Sequence, residues 1–158
     1  INDVEFAELY TKTQIKTTLK GPRTIERELV EKGLTREIIS QVIEEYSDED
    51  QLENATKQAI KIMKRNNKSA KKMLQQKIIT DLIQKGYTSE LAKAAAIDVA
   101  DEADILQKQV EKTMRKNKRY KPSIAKQKTI TSLMQKGFSY DTIQSYLTEN
   151  EISFEEEE

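Results

Sequence analysis

The chain of 158 residues balances 27 Lys and Arg against 27 Asp and Glu, and its 36% hydrophobic content is matched by 34% charged residues. So polar a chain builds thin cores, and no stretch of it approaches the roughly 20 apolar residues of a membrane-spanning helix. With no Cys and no His, disulfides, thiol nucleophiles, imidazole bases and the usual zinc ligand sets are excluded.

Helical signals run from end to end. Asp3 is placed to cap a first helix over about 3–19, with Phe6, Leu9, Tyr10 and Thr13 inward. Lys20-Gly21-Pro22 breaks it, because the residue before a proline avoids the helical region. Pro22 suits the first turn of a second helix over about 23–32, which turns Ile25, Leu29 and Val30 to the core. Gly33 supplies a left-handed stop, and Thr35 caps a third helix over about 36–46 with Ile38, Ile39, Val42 and Ile43 inward. The next helix, about 51–65, shows Leu52, Ala55, Ala59 and Met63 at helical spacing and gives way to a turn at Asn66-Asn67. A helix with Leu74, Ile78, Leu82 and Ile83 inward ends at Gly86, and Thr88 or Ser89 caps one carrying Leu91, Ala92, Ala95 and Ala96. The last three helices present Ala103, Leu106, Val110 and Met114, then Ile124, Ile130, Leu133 and Met134 beyond Pro122, then Ile143, Tyr146 and Leu147. Residues 155–158 are four glutamates and read as a disordered acidic tail.

One phrase is written three times. Leu29-Val30-Glu31-Lys32-Gly33-Leu34-Thr35 recurs as Leu82-Ile83-Gln84-Lys85-Gly86-Tyr87-Thr88 and as Leu133-Met134-Gln135-Lys136-Gly137-Phe138-Ser139. Counted back from each glycine, Phe6, Ala59 and Val110 share one position, and Tyr10, Met63 and Met114 another. The chain is therefore expected to be all-α, three tandem three-helix repeats (1–47, 48–100 and 101–150) forming an elongated, curved array, followed by an acidic tail over 151–158. A lone unit of about 50 residues buries too little surface for much stability, so neighbours should lean on each other.

Enzymatic chemistry finds no footing. Three of the four glycines end helices, which leaves no phosphate-cradling loop, and the carboxylates stand in polar stretches with nothing to tune them. No cofactor is expected. Charge placement is the informative feature. Between Glu53 and Asp81 no acid occurs, while Lys57, Lys61, Lys64, Arg65, Lys68, Lys71, Lys72 and Lys77 accumulate. Between Lys108 and Lys128 a single acid, Glu111, stands among nine bases that include Arg115, Lys116, Lys118 and Arg119. Acids gather instead at the third helices and the junctions, and Lys12, Arg65 and Lys116 occupy one repeat position. An overall neutral protein with a polarised surface follows, its basic side suited to a long anionic partner such as nucleic acid or an acidic filament. The glycine turn before each third helix also looks like a DNA-reading helix-turn-helix. Those third helices, however, carry more acids than bases, which suits them poorly to a groove between phosphate strands.

Asp3, Phe6-Ala7, Tyr10, Gln14, Gly21-Pro22, Ile25, Glu28-Leu29, Lys32-Gly33 and Ile38-Ile39 together closely resemble the middle repeat of the RecX family, regulators of the bacterial RecA recombinase built from tandem three-helix repeats. The units around Gly86 and Gly137 are similar to the family's later, more diverged repeats, so the resemblance covers nearly all of 1–150. The further repeat that the family usually carries in front is absent, which points to a C-terminal fragment of a longer member. The resemblance implies a non-enzymatic cytoplasmic monomer, away from membranes, that binds the RecA–single-stranded DNA filament along its groove. There it would change filament stability, ATP hydrolysis and strand exchange. Basic positions matching the family's positive face are Lys12, Lys16, Arg23 and Arg27. By repeat register and position in the same blocks, Lys64, Arg65, Lys68, Lys71, Lys72, Arg115, Lys116, Lys118 and Arg119 extend it. The alternative is a helical repeat protein that binds single- or double-stranded nucleic acid without specificity. Zero net charge and acidic third helices favour the bases meeting acidic groups of RecA over free DNA.

Overall fold

A computed structural model describes residues 2–66 and 70–154. They form eight α-helices and no strand: α1 (Asp3–Thr17), α2 (Pro22–Glu31), α3 (Arg36–Glu44), α4 (Asp48–Arg65), α5 (Lys71–Gln84), α6 (Ser89–Asn117), α7 (Pro122–Gln135) and α8 (Tyr140–Glu149). The expected turn at Asn66-Asn67 and the tail at 155–158 fall partly or wholly outside the described residues.

Three cores lie in sequence order, one per repeat. Ala7, Ile25, Leu29, Ile39, Val42 and Tyr46 make the first. The second gathers Ile62, Leu74, Ile78, Leu82 and Tyr87 with the alanines of α4 and α6. The third holds Leu106, Val110, Leu133, Ile143 and Leu147. Three thin cores leave much surface: 10617 Å2 is accessible, about 30% more than a compact monomer of this mass would expose.

The stops and caps fall where the residue types put them. Gly33, Gly86 and Gly137 have φ of 84°, 104° and 103°, the left-handed half of the map that glycine enters without a steric penalty. In each, the residue after the glycine donates its N–H back over the helix end, Tyr87 to the Leu82 carbonyl at 3.1 Å for instance. Thr35, Thr88 and Ser139 each accept a backbone N–H of the following helix.

Several details differ from the sequence expectation. Asn2, not Asp3, caps α1, its Oδ1 accepting from Val4 at 3.0 Å and Glu5 at 3.3 Å. The inward face of α1 is Ala7 and Thr11, where small side chains let it lie close to α3. Phe6 stacks on Tyr10 nearer the surface, with ring centroids 6.0 Å apart, and Leu9 is exposed. Val30, Ile83 and Met134, expected inward, are 61%, 42% and 48% exposed and share one repeat position. The reason is the same in all three: each second helix buries a single ridge of residues four apart (Ile25 and Leu29; Leu74, Ile78 and Leu82; Ala125, Thr129 and Leu133). The next residue along lies about 100° round the helix and leaves the contact. Leu52 and Ile124 are likewise exposed.

The third helix of the second unit and the first helix of the third unit are one. α6 runs 29 residues without interruption, so the described residues form eight helices rather than nine. Neither Gly nor Pro occurs in it, and Ala92, Ala95, Ala96, Val99, Ala100, Leu106 and Val110 hold one buried stripe straight through the acidic stretch. The first boundary is different, because Ser47 caps α4 and forces a break there.

At the chain's end, Ile152 and Phe154 pack on the third core, and the Ile152 N–H bonds the Leu147 carbonyl at 2.9 Å. An ordered strap therefore precedes the glutamates. Removing 155–158 should leave helicity and stability unchanged, whereas removing 152–158 should cost about 1–3 kcal/mol, the worth of burying an Ile and a Phe in part. Equal urea midpoints for the two truncations would contradict this.

Candidate functional site

The first and second units are locked by backbone, not by apolar area. The Gly21 N–H donates to the Lys85 carbonyl at 2.9 Å and the Arg23 N–H to the Gly86 carbonyl at 3.0 Å. The Thr24 hydroxyl donates to the Lys85 carbonyl at 2.8 Å. Around this seam the carbonyls of the α1–α2 loop are taken up one after another. Gln58 donates to Thr18, Tyr87 to Leu19 and Tyr46 to Lys20, at 3.3, 2.5 and 3.1 Å. Asn54 bridges Tyr46 and the Ile15 carbonyl. Tyr87 is fully buried, and burial followed by the Tyr46 hydroxyl pushes its phenol far above the ordinary value. These polar partners were not legible as a joint in the sequence, because the loop carbonyls they reach lie 26 to 68 residues away.

Between the second and third units the described residues make no such seam. α6 carries the chain across, and beside it an apolar cleft of 220 Å3 opens between α4 and α8, walled by Ile60, Met63, Leu106 and Tyr146. Lys64 and Lys71 stand at this cleft with Glu102, Asp104 and Asp141. Lys71 is paired with Asp101, whose hydrogen bond and charge hold its ammonium above the usual lysine value. Its charge is thus matched locally.

The basic residues singled out in the sequence are exposed wherever they are described, but they do not form one continuous strip. Lys12 and Lys16 lie on α1, and Arg23 and Arg27 on α2. Lys64 and Arg65 part company at the end of α4. Lys64 turns to the apolar cleft, while Arg65 lines a groove against the first unit with Lys20, Lys61, Lys85 and one acid, Asp81. Lys72 follows Lys71 at the start of α5, and Lys68 lies outside the described residues. In the third unit Lys116 and Arg119 meet Lys128 of α7 around a recess of 520 Å3. Arg115 instead turns its Nε to the Glu111 carbonyl of its own helix at 3.4 Å, and Lys118 ends α6.

Tyr120 is the centre of that recess. The Arg119 guanidinium donates to its hydroxyl at 2.8 Å and lies 4.9 Å from the ring centroid, while the Lys128 ammonium lies 4.6 Å from it. Both distances are those of cation–π contacts. The Arg119 hydrogen bond, then the charges of Arg119, Lys128 and Lys116, hold the phenol below its ordinary value. The available signal was an aromatic residue inside a run of bases, Arg119-Tyr120-Lys121.

Among the described residues no group of His, Cys, Asp and Glu gathers as a metal site. No described helix is long and apolar enough to cross a membrane. Stacked three-helix units joined by a glycine seam and a shared helix, with bases lining the grooves, define a tandem helical-repeat protein. The chain belongs to the RecX family: residues 2–43 match the family's second three-helix domain, and residues 48–95 and 100–147 each match its third. It is 94% identical to the regulatory protein RecX of Listeria monocytogenes serotype 4a (strain HCC23), an alignment covering 100% of this chain and 61% of that protein. To the regulatory protein RecX of Enterococcus faecalis (strain ATCC 700802 / V583) it is 37% identical over 99% of this chain and 61% of that one. The chain thus spans 61% of the length of these curated relatives. Among solved structures it resembles the crystal structure of RecX from Lactobacillus salivarius, with a TM-score of 0.60 at 29% identity over 63% of this chain and 64% of that one.

Proposed function

We propose that this chain acts as a non-enzymatic regulator of a RecA recombinase, binding the RecA–single-stranded DNA filament through its basic grooves and altering filament stability, ATP hydrolysis and strand exchange. Family membership supports a regulatory role, since the relatives are named regulatory proteins. The observation that carries the mode of binding is the repetition of the grooves. Arg65 and Lys116 hold the same position before their glycines; Arg65 lines a basic groove of α4 and α5 against the first unit, and Lys116 a basic recess between the end of α6 and α7. A filament offers repeated acidic and phosphate groups at fixed intervals, and a tandem array presenting repeated cations can meet several of them at once. The rigid seam between the first and second units fixes the spacing of their basic edges in advance, which lowers the ordering cost of binding.

Co-sedimentation of the chain with RecA, with and without single-stranded DNA, tests this reading. The chain is expected to pellet with the assembled filament and to stay in solution with RecA alone. A chain that pellets with neither, or only with DNA in the absence of RecA, would remove the filament from its function.

A further inference from the structure

Three repeats allow one groove to be compared with itself. Position by position from the glycine, Lys12, Arg65 and Lys116 correspond, as do Glu28, Asp81 and Ser132, and Glu31, Gln84 and Gln135. At these register positions the acids fall from two in the first unit to one in the second and none in the third. Glu28 holds Lys20 at 2.7 Å, and Lys20 lines the second unit's groove, so one cation of that groove carries its own counter-charge. In the second, Asp81 lines the groove beside Arg65 and Lys85. In the third, Ser132 and Gln135 stand at the acid positions, and Lys116, Arg119 and Lys128 converge on Tyr120 with no acid in the lining.

We propose that the Tyr120 recess of the third unit is a subsite for one nucleotide of a single strand, with the phosphodiester on Lys116, Arg119 and Lys128 and the base against Ile124. The chemistry selects the ligand. Three cations without a carboxylate leave an uncompensated positive potential, and amide and hydroxyl groups at Ser132 and Gln135 complete a hydrogen-bonding wall for an oxyanion. The volume of 520 Å3 lies in the range of sites for small ligands. Ile124 lines the recess although it is 42% exposed, an apolar patch that a row of carboxylates would not use and an unstacked base would. A basic groove that tracks the phosphates belongs to the general design of single-strand binding, and with Arg119 and Lys128 over the Tyr120 ring it is Ile124 that is left to meet the base. The lowered phenol value of Tyr120 agrees with the potential that the geometry produces. The inference rests on the filament reading only for its setting, because it concerns contact with the strand itself.

The test is fluorescence anisotropy of a labelled oligothymidylate against the whole chain at several salt concentrations, with RecA co-sedimentation of the same samples. Lys116→Gln with Lys128→Gln removes two recess cations from exposed positions, and Lys57→Gln with Lys93→Gln removes two elsewhere. Recess neutralisation should weaken strand binding about tenfold and flatten the salt slope by about 1.4, two phosphates at roughly 0.7 each. The control pair should change affinity less than about twofold. Loss of the recess-dependent slope together with absent RecA co-sedimentation would uphold the subsite and remove the filament reading. Unchanged affinity and slope in the recess variant would overturn the subsite. So would a wild-type chain that binds no oligonucleotide, or a variant that loses filament capture while strand binding stays intact. That last outcome would assign the cations to acidic side chains of a protein.

Discussion

Gly86→Ala is expected to destabilise the protein by about 3 kcal/mol or more, while Gly137→Ala, at nearly the same φ, should cost about 1 kcal/mol. Both residues end a helix in the left-handed region, at 104° and 103°, so the backbone contribution is common to the two. They differ in what a methyl group would meet. At Gly137 nothing lies within 4 Å, whereas at Gly86 the new carbon would stand 2.5 Å from the backbone nitrogen of Thr24. Backbone cannot swing aside as a side-chain tip can, so the two units must separate or shift. Gly21→Ala isolates the seam, because Gly21 has φ of −78°, open to any residue, yet its Cβ would lie 2.5 Å from the Tyr87 nitrogen. It should therefore cost about 2 kcal/mol with no contribution from φ. Urea unfolding of the three variants checks the order. Equal losses at Gly86 and Gly137 would mean that the seam contributes nothing.

Tyr87→Ala should cost about 3–5 kcal/mol and Tyr87→Phe about 1–3 kcal/mol. The larger loss is that of a fully buried aromatic residue in the second core. The smaller is that of one hydroxyl, whose removal leaves the Leu19 carbonyl unsatisfied in the joint and the Tyr46 hydroxyl short of a neighbour 3.4 Å away. Leu19 itself has φ of 55°, an uncommon conformation for a leucine that the same bond helps to hold. The phenol also sets a pH dependence. Its folded value is raised above the ordinary value near 10, chiefly by burial and then by the Tyr46 hydroxyl. Below pH 10 the neutral phenol is present in both states. As pH rises above 10 the unfolded chain alone gives up this proton, so stability should fall. Tyr87→Phe should lessen that fall between about pH 10 and 11, read as midpoint against pH; an identical fall in both proteins would assign it to other groups.

The helices, the glycine stops and the tandem order were legible because they depend on neighbours in sequence. Gly33, Gly86 and Gly137 declare their role by spacing, and Pro22 and Thr35 by their local chemistry. Burial was less legible. Apolar content pointed Phe6, Val30, Ile83 and Met134 inward, but thin three-helix units accept only one ridge per helix and chose Ala7 and Thr11 on α1. The long α6 was misread as two helices because acidic residues resemble a linker, although without Gly or Pro they are compatible with an unbroken helix. For the candidate site, repeat register grouped Lys12, Arg65 and Lys116; of these Arg65 and Lys116 line grooves and Lys12 does not, and the geometry adds Lys20, Lys85 and Lys128 from other helices. It also separates Lys64 from Arg65 and ties Lys71 to Asp101, distinctions that depend on the third dimension alone.

The claim that the basic edge is the binding edge is tested most directly by the association kinetics of Arg115→Glu, Lys116→Glu and Arg119→Glu combined, measured on immobilised RecA–single-stranded DNA filament. All three side chains are exposed, and the buried residues nearby are Val110, Thr113 and Asn117, so circular dichroism should be unchanged. The account predicts that capture falls at least tenfold, mainly through slower association, and that the deficit shrinks as salt rises. A folded triple variant that associates with the filament at the wild-type rate would contradict it.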